Sequence, residues 1–240
     1  MSSARIELQP AWLLSQKPYR ETSELIEVLT PRHGRVGLVA RGLRGPRARQ
    51  RGLVSLFRPL LLSWLDKGDL GTMTAAESGG VEVRLDGERL FHGWYLNELL
   101  LKLLPRHDPH PALYAAYGDT LQRLAGSALE AEAALRLFEL RALEELGYGL
   151  PLSDAFDDAG HYRYLGEPGF AACVEGSRGA MAGSSLNALR SGRLATRAAL
   201  DDARRLLRMA LEPQVPRASL RTPQLLRDMR ALHASRGNPE

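Results

Sequence analysis

A single cysteine, Cys173, occurs among the 240 residues. One thiol cannot form an intramolecular disulfide, and it cannot complete a cysteine-rich zinc site by itself. The longest strongly apolar run, residues 60–65, is far shorter than the roughly 20 residues that span a bilayer. The first residues also lack the basic lead and apolar core of a secretion signal. These absences predict a cytoplasmic protein with no membrane span.

Familiar catalytic motifs are also missing. The sequence contains no phosphate loop, nucleophile elbow or zinc-binding helix motif. His107 and His110 frame a Pro-containing turn and are typical of a turn histidine pair, and Asp157 and Asp158 are typical of an exposed loop pair. A metal-dependent nuclease is disfavoured because it needs clustered carboxylate and histidine ligands. The sequence therefore predicts a binding protein, with no enzymatic activity and no cofactor.

Acidic residues are absent from residues 30–65, although the chain contains 28 of them. Arginines spaced by Gly, Pro and Ala fill the middle of this window and cannot be buried, so this surface should carry a concentrated positive field. Such a field suits a phosphate backbone. The alternative is a solvated basic loop without a ligand. The predicted DNA-binding residues are Arg35, Arg41, Arg44, Arg47, Arg49 and Arg51.

Five short strands are predicted in about the first 80 residues. A tight connection at His33 and Gly34 indicates a hairpin between the second and third. Short strands with hairpin connections favour a small barrel, and the OB-fold is the five-stranded member of that class. An SH3-like barrel is the alternative. The predicted strands are residues 5–17, 22–29, 35–41, 57–65 and 71–75.

From Gly87 onward the apolar period changes from two to about 3.6, which indicates helices. Ser127 and Glu130 have the spacing of a capping box at the start of one of them. The fold class is therefore α+β, with an OB-fold barrel over residues 1–80 and a helical domain over residues 81–240 that contains an irregular insertion at about 151–182. The predicted helices are residues 88–104, 110–125, 127–147, 184–191, 195–211 and 223–233.

Several ordered segments resemble the bacterial recombination mediator RecO family, and the resemblance covers nearly the whole chain. The segments are KPYRETS at residues 17–23, GRV at 34–36, VARG at 39–42, YLNELL at 95–100, RLFEL at 136–140, LGYG at 146–149 and YRY at 162–164. The resemblance implies an N-terminal OB-fold, a central helical domain and a role in recombinational repair.

The resemblance also implies partners. A RecO-like protein would bind single- and double-stranded DNA, anneal complementary strands, and work with RecR to load RecA on DNA covered by single-stranded-DNA-binding protein. It would be a cytoplasmic, nucleoid-associated monomer. Three apolar helix stripes bearing Trp94, Leu101, Leu121 and Phe138 are typical either of a well-filled core or of a core with an apolar groove. The resemblance implies that such a groove would hold the acidic, Phe-ended tail of single-stranded-DNA-binding protein. A second hypothesis, from another class, is a helical scaffold that only joins other proteins.

Two departures from the family pattern are present. Many members hold zinc with two Cys-x-x-Cys pairs, and the matching positions here are Phe156, Ala159, Cys173 and Gly176. Only one of these residues can ligate a metal, so the resemblance does not carry a zinc site to this chain. Near the C-terminus, a Lys-Ser-Arg-like stretch of the family is replaced by Arg221-Thr222-Pro223, which looks like a helix start.

Overall fold

The computed structural model of the chain describes residues 4–45, 52–152 and 154–236. The chain divides into two compact units, an N-terminal unit of residues 1–121 and a C-terminal unit of residues 122–240. A domain boundary near residue 80 stays a prediction. No helix in the described part of the chain is long and apolar enough to cross a membrane.

Five strands form a closed barrel in the N-terminal unit. Around the barrel the order is β1-β2-β3-β5-β4, and the pairing of β3 with β5 is parallel while the others are antiparallel. This topology confirms the predicted OB-fold. The strands are β1 (Arg5–Tyr19), β2 (Ser23–Thr30), β3 (Gly34–Ala40), β4 (Pro59–Leu65) and β5 (Gly71–Ser78).

Every second side chain along β3 points into the barrel and helps to fill its core. On β3, Val36, Leu38 and Ala40 are buried in the core cluster, which also contains Ile26 and Trp64 from other strands. Full burial of a large aliphatic or aromatic side chain contributes about 1.5–3 kcal/mol. The intervening residues of β3 must therefore lie on the outer face of the barrel, because side chains alternate along a strand.

Helices α1 (Gly87–Leu103) and α2 (Pro111–Leu124) follow the barrel. The Tyr117 ring lies edge-on to Trp12 of β1, with ring centroids 5.6 Å apart, and its hydroxyl donates a hydrogen bond of 2.6 Å to Asn97 Oδ1. Tyr117 therefore links both helices to the barrel. Gly93 of α1 lies against the Phe57 ring, which leaves no room for a side chain there.

The C-terminal unit contains helices α3 (Ala128–Glu145), α4 (Gly183–Arg190), α5 (Arg197–Leu211) and α6 (Thr222–Arg236). The predicted capping box is confirmed, since Ser127 Oγ accepts from the Glu130 N–H and Glu130 Oε2 accepts from the Ser127 N–H. The predicted N-cap at Thr222 is wrong by one residue. The Arg221 carbonyl accepts the first helical hydrogen bond, from the N–H of Leu225.

A small sheet occupies the insertion that was predicted to be irregular. Its strands are β6 (His161–Tyr164), β7 (Phe170–Cys173) and β8 (Met181–Ala182), in the order β7-β6-β8. An aromatic cluster packs on it. The Phe156 ring centroid lies 4.9 Å from that of Tyr162 and 5.1 Å from that of Phe170, and Tyr164 lies 5.3 Å from Phe170.

Two polar side chains hold this insertion to the helices of its unit. The Asn187 amide pairs with the Phe156 backbone, accepting from its N–H at 2.9 Å and donating to its carbonyl at 2.8 Å. The buried Asp202 carboxylate accepts from the Ala182 N–H at 3.1 Å and pairs with Arg205. Buried polar groups satisfied in this way help to define a single arrangement of the insertion.

Candidate nucleic-acid interface

The connection between α1 and α2, residues 104–110, lies across one end of the outer β2–β3 face, and we call it the strap. Arg106 forms a parallel bridge with Arg35, and the His107 N–H donates to the Arg35 carbonyl at 3.0 Å. Gly34 has a φ of +64°, and a Cβ on it would lie 2.2 Å from the Asp108 carbonyl oxygen. Only glycine allows so close an approach.

Arg106 fastens the strap to the barrel. Its guanidinium pairs with the Glu27 carboxylate and donates to the Asp69 carbonyl at 3.1 Å. It also fills the space where a side chain at Gly37 would stand, 2.9 Å from the position of a Cβ there. The hydrogen bond to Glu27 raises the pKa of Arg106. This end of the β2–β3 face is therefore occupied by the chain itself.

Arg35 belongs to the same covered end. Its guanidinium donates to the Leu101 carbonyl at 3.1 Å and lies 3.8 Å from the Glu27 carboxylate, and only 19% of the side chain is exposed. A guanidinium held in this way is less available to a phosphate than an exposed one. Among the arginines predicted from sequence, Arg35 is thus part of the packing between β3 and α1.

Arg41 and Arg44 are exposed on the turn that follows β3. Between them, Leu43 is buried in the barrel core, and the Arg44 N–H donates to the Thr22 carbonyl at 2.8 Å. A buried leucine and a backbone hydrogen bond therefore hold residues 41–45 against the barrel. Within the described residues, neither guanidinium has a carboxylate partner.

Arg47, Arg49 and Arg51 lie outside the described residues. The described chain resumes at residue 52, and Val54 and Phe57 are again buried. We call residues 41–51 the basic segment. Its residues 46–51 are thus joined in the chain, on both sides, to residues packed in the N-terminal unit.

A shallow depression of about 430 Å³ lies beside Arg41, at the end of the β2–β3 pair opposite the strap. The Arg20 guanidinium carbon lies 5.0 Å from the centre of the Tyr19 ring, in a cation–π arrangement. Sequence reasoning did not single out this pair, because the two residues belong to a turn that only the β1–β2 pairing brings beside the end of β3. The depression is lined by Tyr19, Arg20, Thr22, Ser23, Val39, Arg41 and Gly42.

The residues at the zinc-matching positions do not fit a metal. Phe156 is part of the aromatic cluster, and Cys173 is the only sulfur ligand among the four. Within residues 4–45, 52–152 and 154–236, no three His, Cys, Asp or Glu side chains lie close enough to hold a metal ion. Phe156 packs with Tyr162 and Phe170, and Phe170 packs with Tyr164, so aromatic packing occupies this part of the chain.

We expect the purified protein to contain no stoichiometric zinc, since a structural site of this kind needs four ligands. Elemental analysis after dialysis should give far less than one zinc per chain, and a chelator should leave the melting temperature unchanged. About one zinc per chain that survives dialysis would contradict this expectation.

The predicted apolar groove is wrong in two of its four residues. Leu121 and Phe138 are buried, so neither is available to line an open groove. Trp94 and Leu101 are half-buried, and the Trp94 ring packs edge-on against Phe91.

The barrel places the chain among OB-fold proteins, a class whose members often bind oligonucleotides on the β2–β3 face and the adjoining loops. Two family models match the chain: recombination protein O N terminal over residues 1–79, and recombination protein O C terminal over residues 84–224. The chain belongs to the recombination protein O (RecO) family, and it is accordingly a protein of DNA repair and recombination.

Curated relatives agree with this assignment. The DNA repair protein RecO of Nitrosococcus oceani is 44% identical over 238 residues, which cover 95% of this chain and 96% of the relative. The DNA repair protein RecO of Coxiella burnetii is 40% identical over 229 residues, covering 92% and 98%. The one from Alkalilimnicola ehrlichii is 46% identical over 220 residues, covering 88% and 87%.

Proposed function

We propose that this chain is a DNA-binding recombination mediator that binds single- and double-stranded DNA and anneals complementary strands. Arg41 and Arg44 contact phosphates, together with Arg47, Arg49 and Arg51 of the same basic segment. The observation that carries the proposal is the exposure of Arg41 and Arg44, which have no carboxylate partner among the described residues, on a turn held by the buried Leu43. Arg35 has a smaller part, because its guanidinium already binds Leu101 and Glu27.

The contrast with two other arginines of the N-terminal unit supports this choice. Arg58 pairs with Glu82 at 2.6 Å, and Arg106 pairs with Glu27. A paired guanidinium gains less from a phosphate, because it must first give up its carboxylate partner. Unpaired guanidiniums in an acid-free stretch neutralise phosphates and release their counterions at no such cost.

Annealing follows from the same charge. Two complementary strands repel each other through their phosphates, and a basic segment that neutralises phosphates on both strands lowers this repulsion while they pair. No chemical step is required, so in this proposal the chain acts by binding and is not an enzyme.

Family membership supports the proposed partners. In this proposal the chain works with RecR to load RecA on DNA covered by single-stranded-DNA-binding protein. The acidic, Phe-ended tail of that protein docks on the chain, where an Arg or Lys side chain binds the carboxylate of the tail. Saturable binding of a fluorescent peptide with that tail sequence tests the docking. No saturation at tens of micromolar, roughly the weak end of specific recognition, would refute it.

Salt dependence of DNA binding tests the central proposal. If several arginines neutralise phosphates together, the logarithm of affinity falls linearly with that of salt concentration, by roughly 0.7 per phosphate for single strands and 0.9 for duplexes. Gel shifts with one oligonucleotide in both forms, over a series of salt concentrations, measure this slope. Affinity that is absent or independent of salt would favour the scaffold that only joins proteins.

A further inference from the structure

We propose that the depression beside Tyr19 binds one unpaired nucleobase, so that this end of the barrel distinguishes single strands from duplex. The inference rests on the proposed DNA binding and adds to it a ligand subsite outside the arginine segment. Its ligand class is a base of single-stranded DNA or RNA, because only a base outside a duplex can place its flat face against this surface.

The size and lining of the depression suit a base. Its volume of about 430 Å³ falls within the roughly 300–1,000 Å³ of small-molecule sites. The Tyr19 ring and Val39 supply apolar surface, and Thr22 and Ser23 supply hydroxyl-bearing side chains that both donate and accept hydrogen bonds. None of the lining residues is acidic, although Glu21 and Glu24 are close in sequence.

The turn that carries the stacking surface is held in one conformation. Tyr19 is paired with Ser23 at the end of the β1–β2 ladder, and Arg20 adopts a left-handed φ of +52° that directs its side chain back over the Tyr19 ring. A non-glycine residue adopts this conformation only where the surroundings hold it. The ring and the guanidinium thus lie together beside the depression, where a base can stack.

The position of the depression links it to the phosphate contacts. Arg41 lines its edge, and Arg44 follows two residues beyond the lining residue Gly42, on the turn held by Leu43. A base in the depression would leave its own phosphate beside Arg41 and the next phosphates toward Arg44. Hydroxyls that donate and accept fit any base edge, so we expect little dependence on sequence.

Tyr19→Ala tests the subsite. The variant should bind single-stranded oligonucleotides about tenfold more weakly, since one stacking contact is lost, while duplex affinity changes less than twofold and the salt slope is unchanged. Tyr19→Phe should retain single-strand affinity because the ring remains. Tyr148→Ala removes an exposed tyrosine of the C-terminal unit, and as a matched control it should bind both forms like the wild type.

A second measurement reports base stacking directly, and its first step uses the unaltered protein, so that step does not depend on the folding of a variant. Single strands carrying one 2-aminopurine should show a change in fluorescence on binding, and the change should be smaller with Tyr19→Ala. Unchanged 2-aminopurine fluorescence at every position of the strand, or equal weakening of single strands and duplex by Tyr19→Ala, would overturn the inference. Failure of the wild type to bind any DNA would instead overturn the proposed function.

Discussion

Replacing Arg44, Arg47 and Arg49 with alanine is expected to weaken binding of single- and double-stranded DNA alike and to reduce the salt slope by about two units. Three lost phosphate contacts at roughly 0.7 each give this figure for single strands. Because phosphates are the same in every sequence, the loss should not depend on the oligonucleotide chosen. Gel shifts of both DNA forms over a range of salt concentrations measure the effect.

The fold should survive this change. Arg44 is exposed, and the hydrogen bond that it makes to the Thr22 carbonyl comes from its backbone N–H, which alanine keeps. Exposed substitutions of this kind usually change stability by less than about 0.5 kcal/mol. An unchanged urea midpoint is therefore part of the expected result.

A charge-matched control separates local contact from overall charge. Arg84, Arg190 and Arg227 are exposed and lie outside the basic segment. Their triple alanine variant loses the same three charges and should keep most of the salt slope. If the variant at Arg44, Arg47 and Arg49 is folded and keeps wild-type DNA affinity and the wild-type salt slope, the basic segment is not the DNA site.

Among glycine-to-alanine substitutions in the N-terminal unit, Gly34→Ala should lower the free energy of unfolding most. A left-handed φ costs a non-glycine residue about 1–2 kcal/mol, and forcing a methyl into a filled space costs about 1–3 kcal/mol more. At Gly34 both apply, because φ is +64° and the Cβ would meet the backbone of Asp108. We expect the free energy of unfolding to fall by about 3 kcal/mol.

Gly68→Ala is the matched control for backbone strain alone. Gly68 has a φ of +85°, and nothing lies within 4 Å of its Cβ position, so the variant should lose only about 1 kcal/mol. Urea unfolding followed by tryptophan fluorescence suits both variants, since all three tryptophans, Trp12, Trp64 and Trp94, belong to residues 1–121. Equal losses of unfolding free energy in the two variants would show that the strap adds no steric cost at Gly34.

The five strands and the start of α3 were predictable from sequence because they depend on local patterns. Strand alternation and hairpin turns indicated all five strands, and the spacing of Ser127 and Glu130 indicated their reciprocal hydrogen bonds. These signals involve residues within one or two turns of each other, which is the range over which sequence patterns act.

Features that depend on tertiary packing were missed. Leu90, Trp94 and Leu101 have helical spacing in the sequence, but the buried face of α1 includes Leu96 and Leu100 instead. Residues 99–101 are three consecutive leucines, so apolar period alone does not decide which of them faces inward. The covered end of the β2–β3 face was missed because the strap is more than 60 residues away from Arg35 in the chain.

Only the positive charge of the candidate site was predictable from the sequence. An acid-free run of arginines is visible in the sequence, but the anchoring of Leu43 and the stacking of Arg20 on Tyr19 are not. Leu43 has polar and glycine neighbours typical of a loop, and its burial depends on a space in the barrel that no local pattern reveals.

The strap has a consequence for dissecting the chain into fragments. A piece cut near residue 80 would retain Glu27, Gly34 and Gly37 and would lose Arg106, leaving the Glu27 carboxylate to the more distant Arg35, at 3.8 Å, and a bare stretch of backbone on its surface. The compact unit extends to residue 121, where Tyr117 closes over Trp12. A barrel fragment prepared for separate study should therefore end beyond α2, since a shorter fragment exposes the end of the β2–β3 face that the strap covers in the whole chain.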